Sequence, residues 1–160
     1  MKVVYFLLGS NLGDRQTYIR EAIQRIGRHF GPPVTESSIY VSAPWGLAGQ
    51  PDFLNQVIAV KTELSPHEGL SIIKEIEQDL GRTRSEKWGA RTIDIDILFW
   101  GNEIMNEPAL EIPHPGISRR RFTLVPLNEV AATLVHPAVH KTIAQLLAEC
   151  EDSLPVNKLD

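Results

Sequence analysis

An α+β fold is what this sequence predicts, and three observations predict it. Short apolar runs that read as strands alternate with two segments of helical spacing, in the order β-α-β-β-α-β. The 160 residues, 42% hydrophobic and 22% charged, suffice for one domain with a substantial core. No repeat or low-complexity tract divides the chain, so residues 1–160 are expected to act as a single domain.

The elements follow from local chemistry. Val3 to Leu8 is an unbroken apolar run, as a central strand requires. Asp14 can cap a helix whose apolar positions Ile19, Ala22, Ile23, Ile26 and Phe30 recur at helical spacing, and Gly31, Pro32 and Pro33 end it. Val34 to Val41 is expected to be a second strand, and the Gly- and Pro-rich run from Ala43 to Pro51 a loop. Phe53 to Thr62 reads as a third strand, with Leu54, Ile58 and Val60 on one face and Phe53, Asn55, Val57 and Ala59 on the other. Ser65, Pro66 and Glu68 form a capping box that starts a helix running to Leu80, with Gly81 as its stop. A polar, basic loop from Arg82 to Arg91 precedes a strand with Ile93, Ile95, Ile97 and Phe99 on one side and Asp94 and Asp96 on the other. Gly101 and Asn102 predict a hairpin turn into Glu103 to Met105. Phe122 to Ala131 and Thr142 to Glu149 read as C-terminal helices. The order is that of a ferredoxin-like α/β sandwich with an added hairpin and C-terminal helices.

Charge narrows the function. The net charge of −4 argues against a general nucleic-acid surface, and no nucleic-acid or obligate protein partner is expected. The charge is uneven, however. Arg82, Arg84, Lys87, Arg91, Arg119, Arg120 and Arg121 place seven of sixteen basic residues in two short stretches near the aspartate pair. Alone, each arginine reads as a solvated surface charge; clustered, they point to an anionic small ligand. The apolar run at the N-terminus stops at Gly9, too short for a membrane span, and one cysteine, Cys150, makes no internal disulfide. Both fit a cytoplasmic protein without membrane attachment.

Asp94 and Asp96 are the informative pair. Two carboxylates about 6 Å apart repel by about 3 kcal/mol at an effective dielectric near 20. On a central strand that cost implies a cation, and hard oxygen ligands on one face suit Mg²⁺, which takes few carboxylates, several waters and phosphate oxygens. Phosphate must be held by side chains and metal, because the GSNLGD run from Gly9 to Asp14 lacks the spacing of a phosphate-binding glycine loop. Gly9 and Gly13 read instead as turn glycines.

The run from Lys87 to Leu98, KWGARTIDIDIL, resembles the signature of the 6-hydroxymethyl-7,8-dihydropterin pyrophosphokinases, a folate-pathway enzyme family. Further matches are GSNLGD, PDFLN at Pro51 to Asn55, GRTR at Gly81 to Arg84, PHP at Pro113 to Pro115, and RRFTLVPL at Arg120 to Leu127. The resemblance implies transfer of the β,γ-pyrophosphoryl group of ATP to the pterin hydroxymethyl group. By the same resemblance, Asp94 and Asp96 bind a pair of Mg²⁺ ions, and Arg82 and Arg91 stabilise the phosphates. Arg84 and Trp88 close over the nucleotide from a mobile loop. Glu77, His114 and Arg120 line the ATP site. The pterin stacks between Phe53 and Phe122, with Asn55 and the backbone near Ser42, Ala43 and Trp45 reading its polar edge. Lys74, Phe53, Trp45 and Glu111 stand where some members have other residues. A nucleotidyl transferase or cyclase, and a non-catalytic ligand-binding or RNA-binding module, are the rival classes for this architecture; the module would need an RNP-like segment and a basic surface, and the sequence has neither that segment nor that net charge.

Overall fold

The computed structural model describes residues 1–43, 50–81 and 92–160. Its elements are β1 (Lys2–Ser10), α1 (Arg15–Phe30), β2 (Thr35–Glu36), β3 (Tyr40–Ser42), β4 (Phe53–Thr62), α2 (Pro66–Asp79), β5 (Asp94–Trp100), β6 (Met105–Glu107), β7 (Leu110–Ile112), α3 (Arg121–Ala131), α4 (Ile143–Glu149) and β8 (Val156–Lys158). A short 3₁₀ turn at Ile117–Arg119 leads into α3. The main sheet has the order β5-β1-β4-β3-β8, with β2 also on β4, and every pairing is antiparallel. This is the ferredoxin-like arrangement that the element order predicts.

Side-chain alternation sorts the sheet into two cores. Val4, Phe6 and Leu8 of β1 face α1 and α2, where they join Leu54, Ile58, Val60, Ile95, Ile97 and Trp100 against Ile19, Ile26, Ile73 and Ile76. Leu7, Val57, Leu98 and Phe99 face the other way, against Leu124 and Leu127 of α3 and Ile143 and Leu146 of α4. A sheet covered by helices on both sides explains the unbroken apolar run of β1.

The caps behave as the sequence predicts. Asp14 accepts from the Thr17 N–H at 3.2 Å, and Ser65 and Glu68 exchange the two bonds of a capping box. Gly31 and Gly81 end their helices at φ +89° and +87°, where a side chain would be strained.

Three expectations are corrected, and one strand is added. Phe99 does not share a face with Ile95 and Ile97: the β1–β5 register shifts between Tyr5 and Phe6, an extra residue enters β5, and Phe99 turns to the α3 side. The strand expected over Val34 to Val41 is two short strands. Ser37 breaks it, its hydroxyl accepting from the Val57 N–H at 2.9 Å while Gln56 Nε2 donates to the Ser37 carbonyl at 2.7 Å. The turn at Gly101 forms, with Glu103 N–H on the Trp100 carbonyl, but β6 pairs with β7 rather than returning along β5. At Leu98 the outer edge of β5 is taken by the His114 N–H. Finally, β8 extends the sheet beyond β3, and no sequence signal announced it.

Candidate active site

One line of paired residues crosses the sheet at the C-terminal end of β1. Asp94 lies opposite Gly9, Gly9 opposite Asn55, and Asn55 opposite Tyr40. Directly opposed residues in antiparallel strands point to the same face. Here that is the face α3 covers, because Leu7 and Val57, two pairs along and so on the same side, pack on α3. Asp96, opposite Leu7, shares it with Asp94.

Gly9 belongs to this floor and not to a turn, which corrects the expectation for it. A Cβ there would lie 3.3 Å from Asn55 Oδ1 and 3.6 Å from the Phe53 ring, so the bare backbone lets both side chains settle over β1. Asn55 is buried, and its Nδ2 donates to Ser42 Oγ at 2.7 Å, tying β4 to β3. Phe53 is half-buried opposite Ser42. The predicted pterin residues Ser42, Ala43, Phe53 and Asn55 thus lie together on two adjacent strand ends. Phe122 comes to the same face from the first turn of α3.

The charged side of the site rests on β5. His114 follows β7, and its Nε2 stands 3.9 Å from Asp96 Oδ2. The Gly116 N–H donates to His114 Nδ1 at 3.0 Å, which leaves the ring proton on Nε2, toward the carboxylate. Burial, then the Arg120 charge, push His114 down to about 4 against the opposing pull of Asp94. At neutral pH the ring is therefore uncharged, and 3.9 Å is too long for a hydrogen bond; the contact is no ion pair. Arg120 lies with its guanidinium 5.8 Å from the Phe122 ring centroid. Gly116 makes room for it, since a Cβ there would meet Arg120 Nε at 2.8 Å.

Glu77 is buried on α2, where its Oε2 accepts from the Ile95 N–H at 2.8 Å between the two aspartates. The carboxylate fixes the edge of β5 that carries them. Arg82, Arg84, Trp88 and Arg91, and Trp45 of the pterin set, lie outside the described residues.

Sequence reasoning missed the supports. Asn11, fully buried, donates through Nδ2 to Gln50 Oε1 at 3.2 Å and to the Pro51 carbonyl at 3.3 Å, and Arg15 donates to the Asp52 carbonyl at 2.8 Å. These bonds bind the turn after β1 to the segment entering β4. Asp152 accepts from the Arg121 N–H at 3.0 Å, capping α3 from a remote part of the chain. Only GSNLGD carried a sequence signal.

Fold and site together define a ferredoxin-like α+β domain with a carboxylate pair and an aromatic-amide slot on one sheet face. The family model described as 7,8-dihydro-6-hydroxymethylpterin-pyrophosphokinase matches residues 5–132. A Bacillus subtilis protein named 2-amino-4-hydroxy-6-hydroxymethyldihydropteridine pyrophosphokinase is 44% identical over 129 residues, 80% of this chain and 77% of its own. An Aquifex aeolicus protein of the same name is 40% identical over 149 residues, 93% of this chain and 92% of its own. The chain belongs to the 7,8-dihydro-6-hydroxymethylpterin-pyrophosphokinase family. A solved Plasmodium falciparum HPPK-DHPS chain has the same fold, with a TM-score of 0.75 over 92% of this chain at 18% identity; this chain spans 44% of that one.

Proposed function

We propose that this protein transfers the pyrophosphoryl group of ATP to 6-hydroxymethyl-7,8-dihydropterin, giving AMP and the pterin diphosphate, in the cytoplasm as a step of folate synthesis. The observation that carries the reading is the shared face of Asp94, Asp96, Asn55 and Phe53, with His114 and Arg120 beside it. No helix among the described residues is long and apolar enough to cross a membrane.

The donor set fits Mg²⁺. Among the described residues no group of three His, Cys, Asp or Glu side chains could enclose a metal, whereas two carboxylates on one strand suit an ion that takes its remaining ligands from water and phosphate. Asp94 and Asp96 would hold two such ions, and bound there they would neutralise the charge of the phosphates. Arg82, Arg91 and Arg120 clamp the phosphate oxygens, Arg84 and Trp88 cover the nucleotide, and Glu77 holds the β5 edge at the nucleotide side. Neutral His114 offers Nε2–H to a phosphate oxygen. The pterin ring lies between Phe53 and Phe122, its polar edge read by Asn55 and by backbone at Ser42, Ala43 and Trp45. With both substrates so fixed, the chemistry needs mainly alignment and charge stabilisation.

Incubation of purified protein with ATP, Mg²⁺ and hydroxymethyldihydropterin tests this. Chromatography is expected to show AMP and pterin diphosphate in equal amounts. Free pyrophosphate with no pterin product would instead mark a nucleotidyl transferase or cyclase.

A further inference from the structure

Glu129 stands on the exposed rim of α3, yet its carboxylate collects three hydrogen bonds. Oε1 accepts from the Tyr40 hydroxyl at 2.6 Å and from the Ser38 N–H at 3.0 Å, and Oε2 accepts from Ser38 Oγ at 3.0 Å. The break between β2 and β3 supplies the Ser38 donors, because a residue outside the ladder keeps its N–H for another partner. Tyr40 is buried, so its ring and hydroxyl are fixed together.

What this clamp joins matters. Tyr40 lies opposite Asn55 and two residues before Ser42 on the same face, so it sits beside the polar floor of the pterin slot. Glu129 lies seven residues, about two turns, after Phe122, on the same side of α3. Helix α3 packs on both β3 and β4. The Glu129 bonds therefore fix the spacing between the helix that carries Phe122 and the strand that carries Ser42.

We infer that Glu129 and Tyr40 are positioning residues that set the width of the slot for a planar bicyclic ring and leave the phosphate side unaffected. The inference rests on the pterin reading above. Among the described residues, the side-chain bonds of Glu129 and Tyr40 run to each other and to Ser38, and none reaches β5 or the segment after β7.

Steady-state kinetics of Tyr40→Phe, Glu129→Ala and the double variant test it, together with amide hydrogen exchange of the free proteins. Each single variant is expected to raise KM for the pterin about tenfold, the scale of a hydrogen bond to a charged group. KM for ATP and kcat should stay within about twofold, and the double variant should lose no more than the worse single one. Exchange at Ser38 and Val41 should quicken in Glu129→Ala. Equal rises in both KM values, additive losses, or unchanged pterin KM in variants whose exchange has quickened would each overturn the inference. A wild-type protein inert toward the pterin would overturn the underlying reading and the inference with it, and is distinguished by failing before any variant is compared.

Discussion

A histidine beside two carboxylates ordinarily carries a second ring proton and a positive charge, and His114 does not. Burial and Arg120 outweigh Asp94, and the Gly116 N–H fixes the tautomer. The site thereby presents a directed neutral donor next to an acidic pair, and leaves the positive charge to arginines. Phe122 plays a comparable single part: Phe122→Ala should weaken pterin binding far more than ATP binding in calorimetric titration, whereas equal losses would mark it as a core residue only. Tyr40 gives a direct readout of its own environment. Burial first, then the Glu129 bond and charge, push its hydroxyl up to about 12 from 10.0. A raised folded value means that its contribution to stability is complete below about pH 10 and fades as pH rises through about 12. Glu129 has the opposite sign. Burial raises it, but the bonds from Tyr40 and Ser38 outweigh that and hold it below 4.5, so its contribution is present above that value and fades only as pH falls through the lowered one. In NMR titration of the Tyr40 ring, Glu129→Gln should move the midpoint back toward 10; a midpoint still near 12 would assign the shift to burial alone.

Packing between elements is most exacting where α2 crosses the end of β5. A Cβ on Gly69 would fall 2.2 and 2.6 Å from Trp100 ring carbons, and the ring is fully buried with nowhere to retreat. Gly69→Ala should therefore destabilise the fold by about 2 kcal/mol or more despite the better helix propensity of alanine. Gly27 in α1 is the contrast, with only a Pro32 carbon at 4.0 Å, so Gly27→Ala should gain about 0.5–1 kcal/mol. Urea denaturation of both variants checks the pair, and the same sign for both would refute the packing account. Helix α2 and strand β4 were legible because capping and alternation are local. The split between β2 and β3 was not, because Ser37 acts through Val57 and Gln56 on another strand. The misplaced Phe99 has a similar cause: alternation counts residues, and a bulge adds one without a local mark.

Across the whole molecule, the order of elements along the chain and the shared side of the two aspartates could be read before any coordinates, since an apolar strand that bears two acids every other residue has few alternatives. The supports could not. Asp152 on α3, Asn11 on Gln50 and Glu129 on Tyr40 join residues between 31 and 89 positions apart, and such partners are set by topology. Gly9 was misread for the same reason, its role being to leave space for Asn55 and Phe53 of another strand. On the proposed function, the carboxylate pair of β5 serves phosphate chemistry while the fold does not depend on it. Asp96→Ala tests this most directly, with Mg²⁺-dependent pterin diphosphate formation and the melting temperature measured on the same sample. The expected rate is at least about a hundredfold lower, with melting within about 3 °C of wild type; near-wild-type turnover, or loss of the folded state along with the activity, would rule this role out.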